Sequence, residues 1–339
     1  MNTILEVTDL SVRFRTEDGW VQAVDDVSFD VGEGEIVALV GESGCGKSVT
    51  AMSIIGLLAE SAQVSGSVRF SGRELGGLPR SQLRHVRGKD IAMVFQEPMT
   101  SLNPVFTVGR QVGEVLREHE GASRKVARAR VIELLDLVGI PAPERRVDEY
   151  PHQLSGGMRQ RVMIAMAVAC GPKILIADEP TTALDVTIQA GILDIVRDLR
   201  DRLGTAVILI THDLGVVADI ADRVVVMYAG RKVEEAPVED LFASPQHPYT
   251  VGLLGAIPHP GKAPAEDQRG RLQEIPGIVP TLHAPAEHCS FAPRCSRADD
   301  LTRSQVPPLE AVRPGHLVAC FHPGPHAPEG SDAREEVTS

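Results

Sequence analysis

The chain lacks several features, and each absence removes a class of function. It has no basic excess: 46 Asp and Glu stand against 34 Lys and Arg, a net charge of -12, where a nucleic-acid binder would present a basic footprint. DNA and RNA are therefore not expected partners. It has no apolar run of bilayer length, since the longest, Val162 to Cys170, is nine residues, about half of a spanning helix. Met1 to Leu10 carries neither a basic start nor a long apolar core, so no secretory signal is expected. Five cysteines, an odd number in a chain without an export signal, argue for reduced thiols rather than disulfides. What is present is a globular composition: 339 residues with 43% hydrophobic side chains can supply about two domains with a core each.

Residues Gly41, Glu42, Ser43, Gly44, Cys45, Gly46, Lys47 and Ser48 spell a complete G-x-x-x-x-G-K-S/T loop, directly behind the apolar run Ile36 to Val40. A strand delivers the chain to a sheet edge, and the glycines let backbone N–H groups curl around phosphate oxygens. Lys47 can then reach the β- and γ-phosphates, and Ser48 can ligate a magnesium ion. From Val49 to Ala59 the sequence is helix-compatible, so the loop opens onto a helix N-terminus whose partial positive charge also favours phosphate. The chain is expected to bind a nucleoside triphosphate.

Short β-rich runs at 4–7, 11–15, 21–24 and 27–31, separated by turn residues, predict an antiparallel sheet, and residues 65–70 with the turn at Ser71 and Gly72 add a hairpin arm. Three apolar runs, 174–177, 206–210 and 224–227, hardly alternate and join 36–40 as buried strands of a mostly parallel, doubly wound sheet. Residues 105–150 read as a helical insert, with Val131, Leu134, Leu135 and Val138 at helical spacing before the stop at Gly139 and Pro141. Thr187 to Leu203 repeats that signal with Ile188, Ile192, Ile195, Val196, Leu199 and Leu203 on one face. Residues 258–285 read as a linker or wrapped loop, and 323–339 as disordered.

Asp178 and Glu179 end the strand at 174–177, the edge at which open α/β sheets hold ligands. Asp178 is suited to the magnesium shell, and Glu179 to orienting and deprotonating a water. Upstream, Leu154, Ser155, Gly156 and Gly157 precede another helix, whose free N–H groups form a second phosphate cradle. One nucleotide cannot easily use both cradles of one lobe, so the second is expected to serve a partner's nucleotide.

In this order the motifs resemble the ATP-binding-cassette ATPase family: Walker A at 41–48, Q-loop Gln96, signature at 154–157, Walker B with its glutamate at 174–179, D-loop Ala183 to Asp185, switch His212, and Phe14 as the adenine-stacking aromatic. The resemblance implies an α/β P-loop NTPase fold, a mixed, mostly parallel core sheet with an antiparallel β subdomain and a helical subdomain. It also implies ATP and Mg2+ as ligands, with Ser48, Gln96 and Asp178 around the metal and Glu179, Gln96 and His212 serving hydrolysis. Two such subunits would close head to tail around two nucleotides, Ser155, Gly156, Gly157 and Asp185 facing the other subunit's ATP.

The tail narrows the resemblance. Residues 241–254, with His247, Pro248 and Tyr249, and the Cys289 to Cys295 segment are similar to the ATP-binding subunits of bacterial dipeptide and oligopeptide permeases, as are Gly41 to Thr50 and Phe95 to Met99. An importer is implied, with two integral membrane permease subunits, a second related ATPase or a self-dimer, and an extracytoplasmic substrate-binding protein. This places the chain peripherally at the cytoplasmic face of the cell membrane; nickel, glutathione or another small solute is the alternative cargo. Coupling to the membrane subunits is expected at 96–107 and the helical insert. The implied organisation is a cassette over 1–235 with a helical subdomain at about 97–172, a small C-terminal extension over 236–325, and a disordered tail at 326–339. Family members often carry tail cysteines spaced C-x5-C-x6-C-x17-C, able to hold an iron–sulfur cluster. Here Cys289, Cys295 and Cys320 match, but Thr302 occupies the third position. The readings left open are a cluster completed by Asp299, Asp300 or His316, a zinc site, and a metal-free relict. Cys45 and Cys170 are read as packing residues.

Overall fold

The computed structural model describes residues 2–17, 19–95, 101–182, 185–256 and 275–324. Gln96, Ala183, Leu184 and the tail from 325 onward lie outside them, as does most of the expected linker, 257–274.

Where four short strands were expected at the start, the chain forms two long ones, β1 (Thr3–Thr16) and β2 (Gly19–Gly32), paired antiparallel with register shifts between Val7 and Leu10 and between Leu10 and Val12. The polar residues that break the hydrophobic pattern are bulges rather than strand ends. Asp9 and Asp26 take positive φ (50° and 57°), and their N–H groups donate to the hydroxyls of Ser28 (2.8 Å) and Ser11 (2.9 Å). With β4 (Ala62–Phe70) and β5 (Arg73–Glu74) they make a four-stranded sheet in the order β2-β1-β4-β5.

The second sheet has eight strands. Its parallel part comprises β3 (Ile36–Val40), β6 (Ile91–Val94), β7 (Ile174–Asp178), β8 (Ala206–Thr211) and β9 (Arg223–Tyr228), with β3 between β8 and β9 and β7 between β6 and β8. Every residue of β3, β7 and β8 is buried, which is why these runs do not alternate. Each fully buried Val, Leu or Ile contributes on the order of 1.5–3 kcal/mol. The carboxyl ends of β3 and β7 are therefore rigid mounts.

The helical insert carries α3 (Val108–Glu120), α4 (Arg124–Leu137) and α6 (Gly156–Ala167), with the short α5 (Pro143–Arg146) between the last two. Thr107 and Ser123 cap α3 and α4 through their hydroxyls. Val112, Leu116, Val131, Leu134, Leu135, Val138 and Val162 form a core of their own, so the helical spacing reported a true buried face. Downstream, α7 (Val186–Leu203) buries Ile192, Ile195, Val196 and Leu199, but Leu203, its last residue, is 51% exposed. Cys45 is fully buried; Cys170 is half-buried in the turn beyond α6 rather than on a helix face.

The extension joins the same sheet. Strand β10 (Arg231–Pro237) pairs with β9 and with β12 (His316–Val318), and β11 (Glu310–Arg313) closes the edge. Glu234 fastens the joint: fully buried, it accepts hydrogen bonds from the Gln246 and His247 N–H groups (2.7 and 2.8 Å) and from His316 Nε2 (2.7 Å). A buried carboxylate without such donors would be strongly destabilising. The end of the expected wrapped loop runs along β2, with the Gln22 N–H donating to the Leu282 carbonyl at 2.7 Å.

Candidate functional site

The phosphate loop leaves β3 and enters α1 (Lys47–Ile54). Two of its glycines are required sterically. Gly41 has φ +151°, and a Cβ there would stand 2.2 Å from the Met227 carbonyl oxygen; Gly46 has φ +95°, and its Cβ would stand 2.4 Å from the Ala23 carbonyl oxygen. The loop thus curls against β9 and β2, while Ser43 and Gly44 remain exposed at its tip. Lys47, 6% exposed, donates from Nζ to the carbonyl oxygens of Gly41 (2.7 Å) and Glu42 (2.9 Å), which holds its ammonium inside the loop.

Across the loop, the Ser48 hydroxyl donates to Asp178 Oδ1 at 3.1 Å. Burial pushes the Asp178 carboxyl up from its ordinary value, and the Ser48 hydrogen bond only partly opposes this. Its neighbour Glu179 sits at φ +46°, an uncommon backbone for a non-glycine, held by its N–H bond to the Ile210 carbonyl (2.8 Å). The Glu179 side chain accepts from the Thr182 hydroxyl (2.8 Å) and pairs with His212 Nδ1 (3.1 Å). Burial alone would raise this carboxyl, but the Thr182 and His212 hydrogen bonds and the charges of His212 and Lys47 outweigh it, so its pKa is lowered. The result is one protonation-resistant carboxylate at the sheet edge beside a buried carboxylate hydrogen-bonded to the loop. That pair can orient a water and hold a divalent cation.

The second cradle belongs to the helical core instead. Ser155 caps α6, its hydroxyl accepting from the Met158 N–H at 3.3 Å, and Ser155 and Gly156 are exposed. Gly157 faces α7, where a Cβ would meet Ile188 at 2.6 Å. Asp185 caps α7 by accepting from the Ile188 N–H (2.9 Å). Val49 is half-buried behind the first loop, and Phe14 is half-buried on β1 against the core between the two sheets. Gln96 lies outside the described residues.

Three participants escaped the sequence reading. Thr182, three residues after Glu179, holds that carboxylate. Tyr249 and Arg294, both inside segments already quoted for the tail, reach the phosphate loop at Glu42. Only the Thr182 contact had a local signal, its short sequence separation; the other two are brought together by tertiary folding.

The tail cysteines do not assemble a ligand set. Among the described residues no group of three or more His, Cys, Asp or Glu side chains could share a metal ion. Thr302, 5% exposed, spends its hydroxyl in a helix cap: Oγ1 accepts from the Asp299 N–H (2.9 Å) and donates to the Asp299 carbonyl (2.8 Å), at the start of α11 (Asp300–Ser304). Asp299 pairs with His322 (2.9 Å), and His316 is the partner of Glu234. Burial, first, and the neighbouring Cys289 and Cys295 push the Cys320 thiol up to about 11. Burial likewise raises Cys289. Of the three substitutes, Asp299 and His316 are committed to other partners and Asp300 is exposed at the start of α11; with Thr302 spent in the cap, three thiols fall short of the four ligands a cluster usually takes.

The ABC transporter family profile matches residues 24–182, and that of the oligopeptide/dipeptide transporter C-terminal region matches residues 233–300. A Sinorhizobium fredii protein, described as a probable peptide ABC transporter ATP-binding protein, is 54% identical over 320 residues, covering 94% of both chains. A Brucella ovis protein named for peptide import as an ATP-binding protein is 53% identical over 326 residues, 94% of this chain and 96% of its own. Among solved structures, the dimeric ATP-binding cassette MJ0796, in a post-hydrolysis state with ADP and Pi, superposes with TM-score 0.63 at 30% identity, over 69% of this chain and 99% of its own.

Proposed function

The chain belongs to the ABC transporter ATP-binding family, with the oligopeptide/dipeptide transporter C-terminal region, and from that premise we propose that it is the ATP-hydrolysing subunit of a bacterial peptide importer. The observation that carries this reading is the Ser48–Asp178 hydrogen bond beside the Glu179–His212 pair, at the mouth of a phosphate loop, in a chain that also carries the peptide-transporter tail.

The N–H groups of Ser43 to Ser48 bind the ATP phosphates, and Lys47 exchanges its loop carbonyls for phosphate oxygens. Ser48 and Asp178 are hard oxygen donors 3.1 Å apart, a set suited to Mg2+, with Gln96 as a further ligand. When bound, the ion offsets the charge of the phosphates. Glu179, kept ionised by its donors, orients the attacking water and accepts its proton. His212 holds Glu179 in register, the Nδ1 proton being assigned from the anionic partner. Phe14 stacks on the adenine. Ser155, Gly156, Gly157 and Asp185 complete the ATP site of a second cassette, either a second copy or a related subunit; the similar cassette MJ0796 is dimeric with ADP and Pi bound.

No helix among the described residues is long and apolar enough to cross a membrane, so transport requires integral membrane partners. An apolar groove of about 490 Å³ between the sheet and the helical insert, lined by Ile55, Leu57, Met93, Phe95, Val115 and Met163, is the surface we assign to one of two permease subunits, the other meeting the second cassette. Phe95 and Leu57 are each 41% exposed there. The chain then sits at the cytoplasmic membrane face, and an extracytoplasmic binding protein delivers the peptide. In cells carrying only Glu179→Gln in this chain, uptake of a labelled tripeptide is expected to stop while the permease still assembles. Undiminished peptide uptake would remove the assignment.

A further inference from the structure

The phosphate loop is gripped from the C-terminal extension, and we propose that Tyr249 and Arg294 are positioning residues for ATP that act through Glu42. The inference rests on the reading of Gly41 to Ser48 as the ATP cradle. Glu42 is held at two points. Its backbone N–H donates to the Tyr249 hydroxyl at 2.8 Å. Its carboxylate receives both terminal nitrogens of Arg294, at 2.6 and 3.0 Å, the forked geometry that gives an arginine pair its directionality.

Both grips come from immobile side chains. Arg294 is 4% exposed and also donates to the carbonyls of Pro276 (2.8 Å) and Ile275 (3.0 Å). Tyr249 is fully buried in α10 (Pro248–Gly255), its ring 4.7 Å from that of Tyr228 and 5.6 Å from that of Phe291. The residue they hold is at the loop's working end: the Glu42 carbonyl is one of the two that accept from the Lys47 ammonium. Beyond Glu42, Ser43 and Gly44 are exposed. The extension thus sets the conformation of the loop at the place where the phosphate-binding N–H groups begin. Loosening that point leaves the cradle to be ordered by ATP itself, which lowers affinity rather than the rate of the bound complex.

The full-length chain, assayed with Mg2+ and a fluorescent ATP analogue, tests this. Arg294→Met is expected to weaken nucleotide binding about tenfold, the scale of a lost charged hydrogen-bonded pair, with KM raised and kcat little changed. Tyr249→Phe, which keeps the ring packing, should weaken binding about threefold. Arg294→Lys should recover part of the loss, since it keeps the charge but not the fork. Glu42→Gln combined with Arg294→Met should bind no worse than the weaker single variant, because both act at one contact. Unchanged affinity in Tyr249→Phe, or fully additive losses in the double variant, would overturn the proposal, and Tyr249→Phe decides it if Arg294→Met fails to fold. A wild-type chain that binds no nucleotide would instead overturn the ATP reading, and this inference with it.

Discussion

The phosphate loop and the cysteine tail both present chemistry-bearing residues at telling intervals, yet only the loop keeps its full set in place. In the loop, spacing is enforced by contiguous backbone: a buried strand, a turn that only glycine can make at Gly41 and Gly46, and a helix start. Once that unit folds, Lys47 and Ser48 have nowhere else to be. In the tail, Cys289 and Cys295 flank the short turn Ala292–Arg294 and Cys320 follows β12, so the thiols are neighbours, and a ligand set would still need a fourth position to comply. One residue, Thr302, is instead built into a cap, and burial raises the pKa of the half-buried Cys289 and Cys320 thiols. A motif carried by one supersecondary unit survives as chemistry; a ligand set scattered over loops can be retired by a single residue.

The contrast can be broken most severely at Glu179. Glu179→Gln is expected to lower ATP hydrolysis by about 100-fold or more, the scale of a lost general base, while a binding assay finds ATP still held. The pKa of this carboxyl lies below its ordinary value of 4.5, so its stabilising contacts are complete above that pH and are lost as pH falls through the lowered value. That acid-side part of the stability profile should be absent from the Gln variant in pH-dependent melting. Next in size, Lys47→Ala should weaken ATP binding by about tenfold or more, because it removes a charge-assisted contact to phosphate. Unaltered titration by ATP would contradict the role given to Lys47. The smallest effect belongs to the tail: Thr302→Ala should cost about 1 kcal/mol through the lost cap, read as a lower Tm, with ATP turnover preserved. Protein purified anaerobically should be colourless and free of iron in both forms, whereas an absorbance band from thiolate-bound iron would restore the tail as a metal site.

Much of the fold was legible because its signals are local. Buried parallel strands read as unbroken apolar runs, and the helical insert as apolar residues at helical spacing. The first two strands were cut short in that reading because bulges at Asp9 and Asp26 interrupt the alternation as turns do. The place of β11 and β12 on the main sheet was not legible, since strand pairing over so long a separation leaves no periodic trace. Thr182 could have been suspected beside Glu179; Arg294, 252 positions from Glu42, could not.

By itself, the sequence determined the nucleotide loop, the two carboxylates ending β7, the order of motifs and hence the family, because each depends on neighbours within a strand and the turn that follows. Only the tertiary structure decided that Glu179 is held by His212 and Thr182, that the extension grips the loop at Glu42, and that Thr302 is spent in a helix cap. Those outcomes depend on which distant surfaces pack together, and packing is set by the whole core rather than by any one stretch of chain.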